Sequence, residues 1–299
     1  MITSEQLEQY RRDGFVFIES ALTENQLQAL QSATGRLIHE SATVTESNDR
    51  YDLDAGHSAA QPRLTRIKLP HLLDPVFTEV MQSEQITGLI KPLLNTDHIR
   101  LHTSKLNTKE PQGGQAVEWH QDWAFYPHTN DDLLAIGILL EDVDDENGPL
   151  MAIPGTHLGP VLDHSRDGIF CGAINPDDPL FDKDSAVTLK GRAGDLSIHH
   201  VRTLHGSAPN NSERARKILF YECSAADAWP INGNSSTYTG LSQQALWDKM
   251  QQHMICGVQG MQARLANVPV TMPLAPPPDP TSIFKVQSSG GAISAFATE

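Results

Sequence analysis

The side chains best suited to bind a metal ion in this sequence are His120 and Asp122, with a distant third partner in His205. Residues two apart on a β-strand point to the same face, so a strand here would place the imidazole of His120 beside the carboxylate of Asp122. Two histidines and one carboxylate form the facial set of ligands that holds non-heme Fe(II) and leaves other metal positions open for reactants. A His-x-Asp pair arises by chance about once in a chain of this composition, so its neighbours must support the hypothesis.

Hydrogen-bond donors suited to a small dianion lie on either side of these ligands. Arg216 follows His205 by eleven residues, and its planar guanidinium matches a carboxylate with two parallel hydrogen bonds. Ser207 adds a hydroxyl donor close to His205. On the segment 99–109, three side chains of the same parity share one face of the predicted strand: Lys105, Asn107 and Lys109. We therefore expect an anionic reactant to bind near the metal.

Basic and aromatic side chains near the predicted metal strand offer walls for a substrate pocket. The candidates are Lys105, Lys109, Trp123, Tyr126 and Trp229. The two lysines favour a substrate with a negative group, such as a carboxylate or a phosphonate. Aromatic residues at the mouth of a barrel pack against the core as often as they line a pocket, and that alternative stays open for the three aromatic candidates.

Two kinds of hydrophobic pattern divide the chain and predict the elements that position these residues. In the first part, capping motifs and apolar residues at helical spacing predict helices over about 4–13, after Thr23 and over 75–94, the last broken near Pro92, with short strands at 15–18 and 63–69. From Ile99 onward, strand-like segments alternate with turns. These segments are 99–109, 115–123, 133–143, 149–154, 187–189, 195–205 and 215–224. Helices followed by about seven or eight strands indicate a mainly β protein, a sandwich or barrel with an N-terminal helical layer.

The simplest partition of the chain is a single domain over residues 1–299. It comprises a helical layer at 1–98, a β core at about 99–228 and a C-terminal extension at 229–299. Within the extension we expect a Gly/Asn/Ser loop at 232–237, a helix at 241–254, a proline-rich segment at 273–280 and poor order in the last twenty residues. The extension is also a possible surface for homo-oligomer formation.

Charge and composition argue against several classes of protein. A net charge of −15 over 299 residues does not suit a nucleic-acid partner, because phosphate binding needs a basic face. No apolar run approaches the roughly 20 residues needed to span a bilayer, and residues 1–10 lack the layout of a secretory signal. The three cysteines are widely separated, which fits a reducing cytoplasm better than a disulfide framework. We expect a cytoplasmic protein that binds a small molecule, with neither nucleic acid nor membrane as partner.

Taken together, the motifs resemble those of the phytanoyl-CoA dioxygenase family of Fe(II)/2-oxoglutarate-dependent oxygenases. The matching segments are Trp-His-Gln-Asp at 119–122, then 146–150, 153–157 and 205–207, followed by Arg216. Residues 102–107 also resemble the Ser-Arg-Ile-Asn segment of the ectoine hydroxylase branch, with Lys105 in place of the arginine. The resemblance covers about residues 5–228. It implies a double-stranded β-helix, or jelly-roll, fold for the β core.

The resemblance also implies a chemistry and a set of site residues. Fe(II), 2-oxoglutarate and O2 would react to hydroxylate a small metabolite, with release of succinate and CO2. The iron ligands would be His120, Asp122 and His205. The 2-oxoglutarate contacts would be Asn107, Ser207, Arg216 and, beside the metal, Gln121. Lys105 stands at a position that faces the substrate in the ectoine branch, and no catalytic residue is expected beyond the metal ligands.

Two other functions stay open at this point. A cupin-type metal enzyme is one, because residues 148–157 resemble the second cupin motif and would make His157 a ligand, although the chain has no His-x-His pair. A non-catalytic protein of the same fold that binds 2-oxoglutarate or a metal is the other, and the intact set of predicted ligands argues against it. The substrate itself is not predicted, because the loops 42–60, 163–186 and 229–299 carry no recognisable motif.

Overall fold

The computed structural model describes residues 1–231, 242–260, 262–272, 274–279 and 282–296. Its helices are α1 (Ser4–Asp13), α2 (Glu24–Glu40), α3 (Pro75–Met81), α4 (Glu84–Leu94), α5 (Gln243–Gln252) and α6 (Ile283–Ser289). The strands up to the metal motif are β1 (Phe15–Ile18), β2 (Tyr51–Leu53), β3 (Leu64–Lys68), β4 (Ile99–Lys109) and β5 (Val117–His120). The later strands are β6 (Leu133–Leu139), β7 (Leu150–Ala152), β8 (Ser165–Arg166), β9 (Ile169–Phe170), β10 (Val187–Leu189), β11 (Leu196–His200), β12 (His205–Ser207), β13 (Arg216–Ala225) and β14 (Met254–Cys256).

Two antiparallel sheets make up the β core. The larger sheet has the strand order β1-β11-β6-β13-β4-β3-β2, and β14 pairs with β4 beside it. The smaller sheet has the order β10-β7-β12-β5. Strands that are distant in sequence therefore lie side by side, as in a jelly roll, and residues from separate motifs can converge.

α1 has the predicted bounds, and α2 begins directly after Thr23 as the capping motif predicts. The Thr3 hydroxyl accepts a hydrogen bond from the Gln6 N–H, and the Gln6 side chain accepts one from the Thr3 N–H, which completes a capping box for α1. Gly14 ends α1 with a φ of 82°, a left-handed conformation that glycine adopts without strain. The chain then enters β1 directly, and β1 pairs with β11 at the edge of the larger sheet.

The helical layer buries its apolar stripe against the larger sheet. Buried residues of the helices and of the sheet share one hydrophobic cluster, which includes Leu30, Leu37, Ile86, Ile90, Ile136, Ile138, Leu219 and Tyr221. Burial of aliphatic and aromatic side chains is the main stabilising contribution in such a layered core. This cluster covers one face of the larger sheet, so the opposite face is the one available for a site.

The prediction of one helix over 75–94 with a break near Pro92 is wrong in detail. The structure has two helices, α3 and α4, which are interrupted at Gln82 and Ser83. The Asp74 carboxylate accepts a hydrogen bond from the Val76 N–H and starts α3. Pro92 lies in the last turn of α4, where it cannot donate the usual hydrogen bond to the carbonyl four residues earlier, and the helix ends two residues later at Leu94.

The predicted strands are found, and most are shorter than their segments. β4 and β10 have the predicted bounds, whereas β5 covers only 117–120 of the segment 115–123. The segment 195–205 divides into β11 and β12, which belong to different sheets. Hydrophobic alternation locates a strand but does not show where the chain leaves one sheet for the other.

The C-terminal extension returns to the β core. α5 lies within the predicted helix 241–254, and β14 pairs with β4, whereas the predicted loop at 232–237 lies outside the described residues. The expectation of poor order in the last twenty residues is wrong for 282–296, because α6 buries Phe284, Val286 and Gln287. In the described part of the chain, no helix has the length and apolar character needed to cross a membrane.

Candidate active site

The smaller sheet brings His120 and His205 side by side. β5 ends at His120, β12 begins at His205, and the two residues are register partners across this antiparallel pair. Asp122 does not continue the strand, contrary to the prediction; it begins a short 3-10 turn in which its carbonyl accepts a hydrogen bond from the Phe125 N–H at 2.9 Å. The turn still leaves the Asp122 carboxylate beside the two imidazoles.

The three side chains form a compact cluster of possible metal ligands. One ligand atom from each of His120, Asp122 and His205 lies within 4.8 Å of the other two, and all three residues are buried. The Nε2 atoms of His120 and His205 lie 3.8 and 3.9 Å from carboxylate oxygens of Asp122. These separations exceed a hydrogen bond and are shorter than twice a metal–ligand bond of roughly 2.1 Å. A single ion between them can therefore contact all three.

The hydrogen bonds of the two histidines leave the correct nitrogen free for a metal. Nδ1 of His120 lies 2.8 Å from the Glu118 carbonyl oxygen, and Nδ1 of His205 lies 2.9 Å from the Thr203 carbonyl oxygen. A carbonyl oxygen only accepts, so each Nδ1 must carry the hydrogen and each Nε2 keeps its lone pair. Metal-binding histidines are oriented in this way.

The charge states of the cluster also suit a divalent cation. Burial lowers the pKa of His120 to about 4 and lowers the pKa of His205 as well, so both imidazoles are neutral at pH 7. Burial alone would raise the pKa of Asp122, but Lys105 and the surrounding histidines hold it well below its usual value. The set of two neutral imidazoles and one carboxylate fits Fe(II), with positions left open for reactants.

Two buried cations lie in the same pocket as this cluster. The pocket is lined by Asn107, Lys109, His120, His205, Ser207 and Arg216, among others. The Arg216 Nε and Nη2 donate to the Gly148 carbonyl oxygen at 3.0 and 2.7 Å, and the Lys109 Nζ donates to the Ser207 Oγ at 2.7 Å. We refer to this space as the main pocket.

The charges of Lys109 and Arg216 are not balanced by a carboxylate contact. Their exposed fractions are 1% and 2%, and within the described ranges no ion pair involves either residue. Burial lowers the pKa of Arg216 to about 9, while burial and the nearby Arg216 lower the pKa of Lys109. An isolated buried cation is costly, so this end of the pocket favours an anionic ligand.

The register of β4 and β13 explains why these residues share one pocket. Lys109 pairs with Arg216, Asn107 with Ile218 and Lys105 with Phe220 across the antiparallel strands. Alternate residues of a strand point to the same face, so all six side chains face the main pocket, as the pocket lining shows. The parity predicted for Lys105, Asn107 and Lys109 is confirmed.

A second space adjoins the main pocket and shares Asp122 with it. We call it the side chamber; its lining includes Arg66, Lys105, Asp122, Tyr126, Glu222 and Ile283. Lys105 forms an ion pair with Glu222 here. Burial raises the pKa of Glu222 although Lys105 opposes this effect, and burial with Asp122 and Glu222 raises the pKa of Tyr126. Of the predicted substrate residues, Lys105 and Tyr126 therefore border this chamber.

Gln121, predicted to contact 2-oxoglutarate, does not line the main pocket. Its amide nitrogen donates to the carbonyl oxygens of Pro160 and Arg202 at 3.2 and 2.8 Å. Its amide oxygen accepts from the Leu162 N–H at 2.9 Å, and the residue is fully buried. The side chain thus connects the loop that follows β7 to the turn between β11 and β12, because the backbone of these two segments satisfies its polar groups.

Trp123 and Trp229, predicted as possible substrate contacts, lie in other surroundings. Trp123 is buried among apolar side chains, and its Nε1–H donates to the Pro269 carbonyl oxygen at 2.7 Å. The guanidinium of Arg100 lies over the Trp229 ring at 4.8 Å. Neither residue lines the main pocket or the side chamber, which favours the packing alternative for both.

His157, the ligand required by the cupin alternative, lies away from the cluster. Its Nε2 donates to the Arg11 carbonyl oxygen at 3.2 Å near the end of α1. The ring packs so closely on Gly14 that a Cβ there would meet the His157 Nδ1 at 2.4 Å. This position is structural and removes the sequence support for the cupin alternative.

The structure adds residues that the sequence did not single out. His199 on β11 lines the main pocket, with its Nε2 at 3.4 Å from the Asp122 carboxylate. Glu222 has the same strand parity as Arg216, a signal that could have identified it. Arg66 and Phe284 had no such signal, because the pairing of β3 with β4 and the position of α6 are not encoded in any local pattern.

Comparison with known proteins is consistent with this fold and this cluster. The model of the phytanoyl-CoA dioxygenase (PhyH) family matches residues 10–218. A "Probable alpha-ketoglutarate-dependent hypophosphite dioxygenase" from Stutzerimonas stutzeri is 36% identical, covering 90% of this chain and 92% of the relative. An "Ectoine dioxygenase" from Bordetella bronchiseptica is 25% identical, covering 73% and 74% of the two chains.

A solved structure agrees with the architecture. The crystal structure of EctD from S. alaskensis with bound Fe has a TM-score of 0.64 and 23% sequence identity, and the match covers 75% of this chain and 77% of that chain. At this identity the similarity shows the fold, which confirms the predicted jelly roll. The family model covers more than half of the chain and includes His120, Asp122, His205 and Arg216. The chain belongs to the phytanoyl-CoA dioxygenase family.

Proposed function

We propose that this Fe(II)- and 2-oxoglutarate-dependent dioxygenase oxidises a small anionic substrate and that His120, Asp122 and His205 bind its iron. One observation supports the proposal most strongly. A single pocket contains both the cluster of metal-binding atoms and two buried cations without a carboxylate partner among the described residues. The Asp122 carboxylate would bind the metal ion, and Lys109 and Arg216 would pair with a dianion.

The protein residues prepare the metal site rather than act as acids or bases. Iron bound there supplies O2 activation, with electrons from 2-oxoglutarate, and delivers oxygen to the substrate. The carbonyl groups of Glu118 and Thr203 hold the imidazoles of His120 and His205 in the tautomer that binds a metal. With two neutral imidazoles and one carboxylate as ligands, a ferrous ion keeps a net positive charge that favours an anionic cosubstrate.

The cationic end of the main pocket is assigned to 2-oxoglutarate. Arg216 would hold its distal carboxylate with the guanidinium, and Ser207 would add a hydroxyl hydrogen bond. Lys109, which the sequence suggested for the substrate, donates to Ser207 and so belongs to this end. Asn107 lies between this end and Lys105 on the same strand face, within reach of the cosubstrate. Arg216 and Lys109 together would neutralise the carboxylate in a water-poor site.

Hypophosphite is the first substrate to test. The 36% identical relative carries this anion in its name, and the match extends over 90% of the chain. Insertion of one oxygen atom into a P–H bond converts hypophosphite to phosphite, while the second oxygen atom of O2 enters succinate as 2-oxoglutarate loses CO2. Arg66 provides positive charge at the side chamber, whose lining also includes Asp122.

The test is a coupled product assay. Purified protein is supplied with Fe(II), 2-oxoglutarate, O2 and hypophosphite, and succinate and phosphite are quantified by chromatography and 31P NMR. Equal amounts of both products are expected from the wild type, and none from His205→Ala. Formate, phosphite, glycolate and methylphosphonate are assayed in parallel as other compact anions with an oxidisable bond. Turnover of ectoine or proline in the absence of any anion turnover would contradict the proposal.

A further inference from the structure

Among the described residues, Arg66 on β3 is buried without an ion pair. It is 9% exposed, and burial lowers its pKa. Its Nε donates to the Asn107 Oδ1 at 3.2 Å, whereas its buried Nη2 has no hydrogen-bond partner in the part of the chain that the structure describes. Buried donors are almost always satisfied, so an unsatisfied guanidinium nitrogen in a cavity wall indicates the place of a ligand.

The carboxylates nearest to Arg66 are already paired with lysines. Asp52, its register partner on β2, forms an ion pair with Lys68 at 2.8 Å. Glu222 forms an ion pair with Lys105. Within the described part of the chain, neither carboxylate makes an ion pair with Arg66. The charge of Arg66 is therefore available to an anion, whereas the charge of Lys105 is largely compensated.

The position of Arg66 connects it to the metal cluster. The side chamber that it lines also contains Asp122, and it shares Lys105, Glu222 and Ile283 with the main pocket. A small molecule whose anionic group contacts Arg66 can thus extend towards the metal ligands.

The orientation of the Arg66 guanidinium is set before any ligand binds. β3 pairs with β4 so that Arg66 stands opposite Asn107, and the Nε–Oδ1 hydrogen bond fixes the plane of the group. Preorganised donors lose little entropy on binding, which increases their contribution to affinity. Asn107 thus lines the main pocket, which is assigned to the cosubstrate, and also orients Arg66, which lines the side chamber.

Helix α6 shields this guanidinium from water. The Phe284 ring centroid lies 5.5 Å from the Arg66 Cζ, and Ile283 and Val286 add apolar side chains to the chamber wall. An apolar wall strengthens an ion pair because it lowers the local dielectric constant. The chain therefore builds this cationic pocket from β3 and from a helix more than 200 residues later in sequence, whose apolar side chains form part of the wall.

From these contacts we infer that Arg66, under the cover of Phe284, binds the anionic group of the substrate. This inference rests on the proposed function and names its substrate-binding residue. The ligand class is a compact anion with at least two oxygen acceptors, such as a phosphorus oxyanion or a short carboxylate, because a guanidinium pairs best with such groups. Lys105, expected from the sequence to read the negative group, is instead held by Glu222 beside it.

The experiment compares Arg66→Gln, Arg66→Lys and a control, Arg63→Gln. Arg63 lies just before β3 and pairs with Asp54, and it lines neither the main pocket nor the side chamber. For each protein, KM is measured for the best-oxidised anion of the panel, starting with hypophosphite, and the affinity for 2-oxoglutarate is measured anaerobically with Fe(II). We expect Arg66→Gln to raise the KM for the anion roughly 10- to 100-fold, as loss of a charged hydrogen bond does.

The outcomes separate the inference from the proposed function. Support requires a raised anion KM in Arg66→Gln, a smaller rise in Arg66→Lys, wild-type values in Arg63→Gln and 2-oxoglutarate affinity within about threefold of the wild type in all variants. An unchanged anion KM in Arg66→Gln overturns the inference and leaves the proposed function intact. Equal losses of anion and 2-oxoglutarate affinity also overturn it, because they indicate a structural role. Failure of the wild type to oxidise any anion removes both.

Discussion

At the scale of single residues, the chemistry depends on hydrogen bonds that fix orientation. The Nδ1 atoms of His120 and His205 are each bound to a carbonyl oxygen two residues earlier, so each Nε2 is available to a metal. The residue types and their spacing along the sequence predicted this cluster. They did not predict Arg66, whose role depends on the pairing of β3 with β4. The local sequence identifies a metal ligand, whereas the strand register determines which residues lie beside it.

Arg216 is assigned to the cosubstrate and Arg66 to the substrate, so substitutions at the two positions should affect different KM values. Arg216→Gln should raise the KM for 2-oxoglutarate roughly 10- to 100-fold, because a buried charged hydrogen bond is lost, with little change in the substrate KM. Arg214→Gln is the matched control, since Arg214 lies two residues earlier and pairs with Asp144 at the surface. Steady-state rates over a range of 2-oxoglutarate concentrations provide the measurement. A normal KM for 2-oxoglutarate in Arg216→Gln would refute the assignment.

At the scale of elements, strand alternation was the reliable signal and element ends were not. The common face of Lys105, Asn107 and Lys109 followed from period two and is found in the structure. The turn at Asp122 and the division of 195–205 between two sheets were missed, because both depend on tertiary contacts. α6 was missed for the same reason: its seven residues form a helix that is buried against β5 rather than stabilised by its own sequence.

Gln287 connects α6 to the strand that carries His120. Its amide oxygen accepts from the Glu118 N–H at 3.0 Å, and its amide nitrogen donates to the carbonyl oxygens of Glu118 and Gly172 at 3.3 and 2.9 Å. The Glu118 carbonyl also accepts from the Nδ1–H of His120. The Glu118 carbonyl therefore has two roles. It anchors α6, which covers the side chamber, and it orients the metal ligand His120.

Removal of this connection should uncouple the reaction. In Gln287→Ala, α6 is held less firmly and water enters the side chamber, so we expect more succinate per oxidised substrate, with 2-oxoglutarate affinity close to wild type. Ser288→Ala, at an exposed neighbouring position, is the control and should keep the wild-type ratio. The ratio of succinate to oxidised product is the quantity to measure. An unchanged ratio in Gln287→Ala would show that α6 does not protect the reaction.

At the scale of the whole molecule, the fold buries several histidines in their neutral form. Burial lowers the pKa of His71 and His128 to about 4 and that of His200 to about 3, from an ordinary value of 6.5. Between pH 6.5 and about 4 the unfolded chain binds protons that the folded chain does not, so the folded state loses stability as the pH falls. Composition alone gives the number of histidines, whereas their burial requires the structure. Assembly through the C-terminal extension stays a prediction.

Acidification should therefore lower the unfolding free energy of the metal-free protein. Urea unfolding at a series of pH values from 7.5 to 5 is expected to show a steady loss, and His128→Gln should reduce its pH dependence by about one proton. His39→Gln, at an exposed position on α2, is the control and should follow the wild type. A stability that does not change between pH 7.5 and 5 would contradict this account of the buried histidines.

The central claim is that one pocket holds Fe(II) on His120, Asp122 and His205 together with 2-oxoglutarate on Arg216 and Lys109. Anaerobic titration of the metal-free protein with Fe(II) and then 2-oxoglutarate tests it most directly, by the visible charge-transfer band of the chelated iron. The account predicts a saturable band in the wild type and in His157→Ala, no band in His120→Ala, and a band that needs much higher 2-oxoglutarate in Arg216→Gln. Absence of the band in the wild type, or its survival in His120→Ala, would contradict the account.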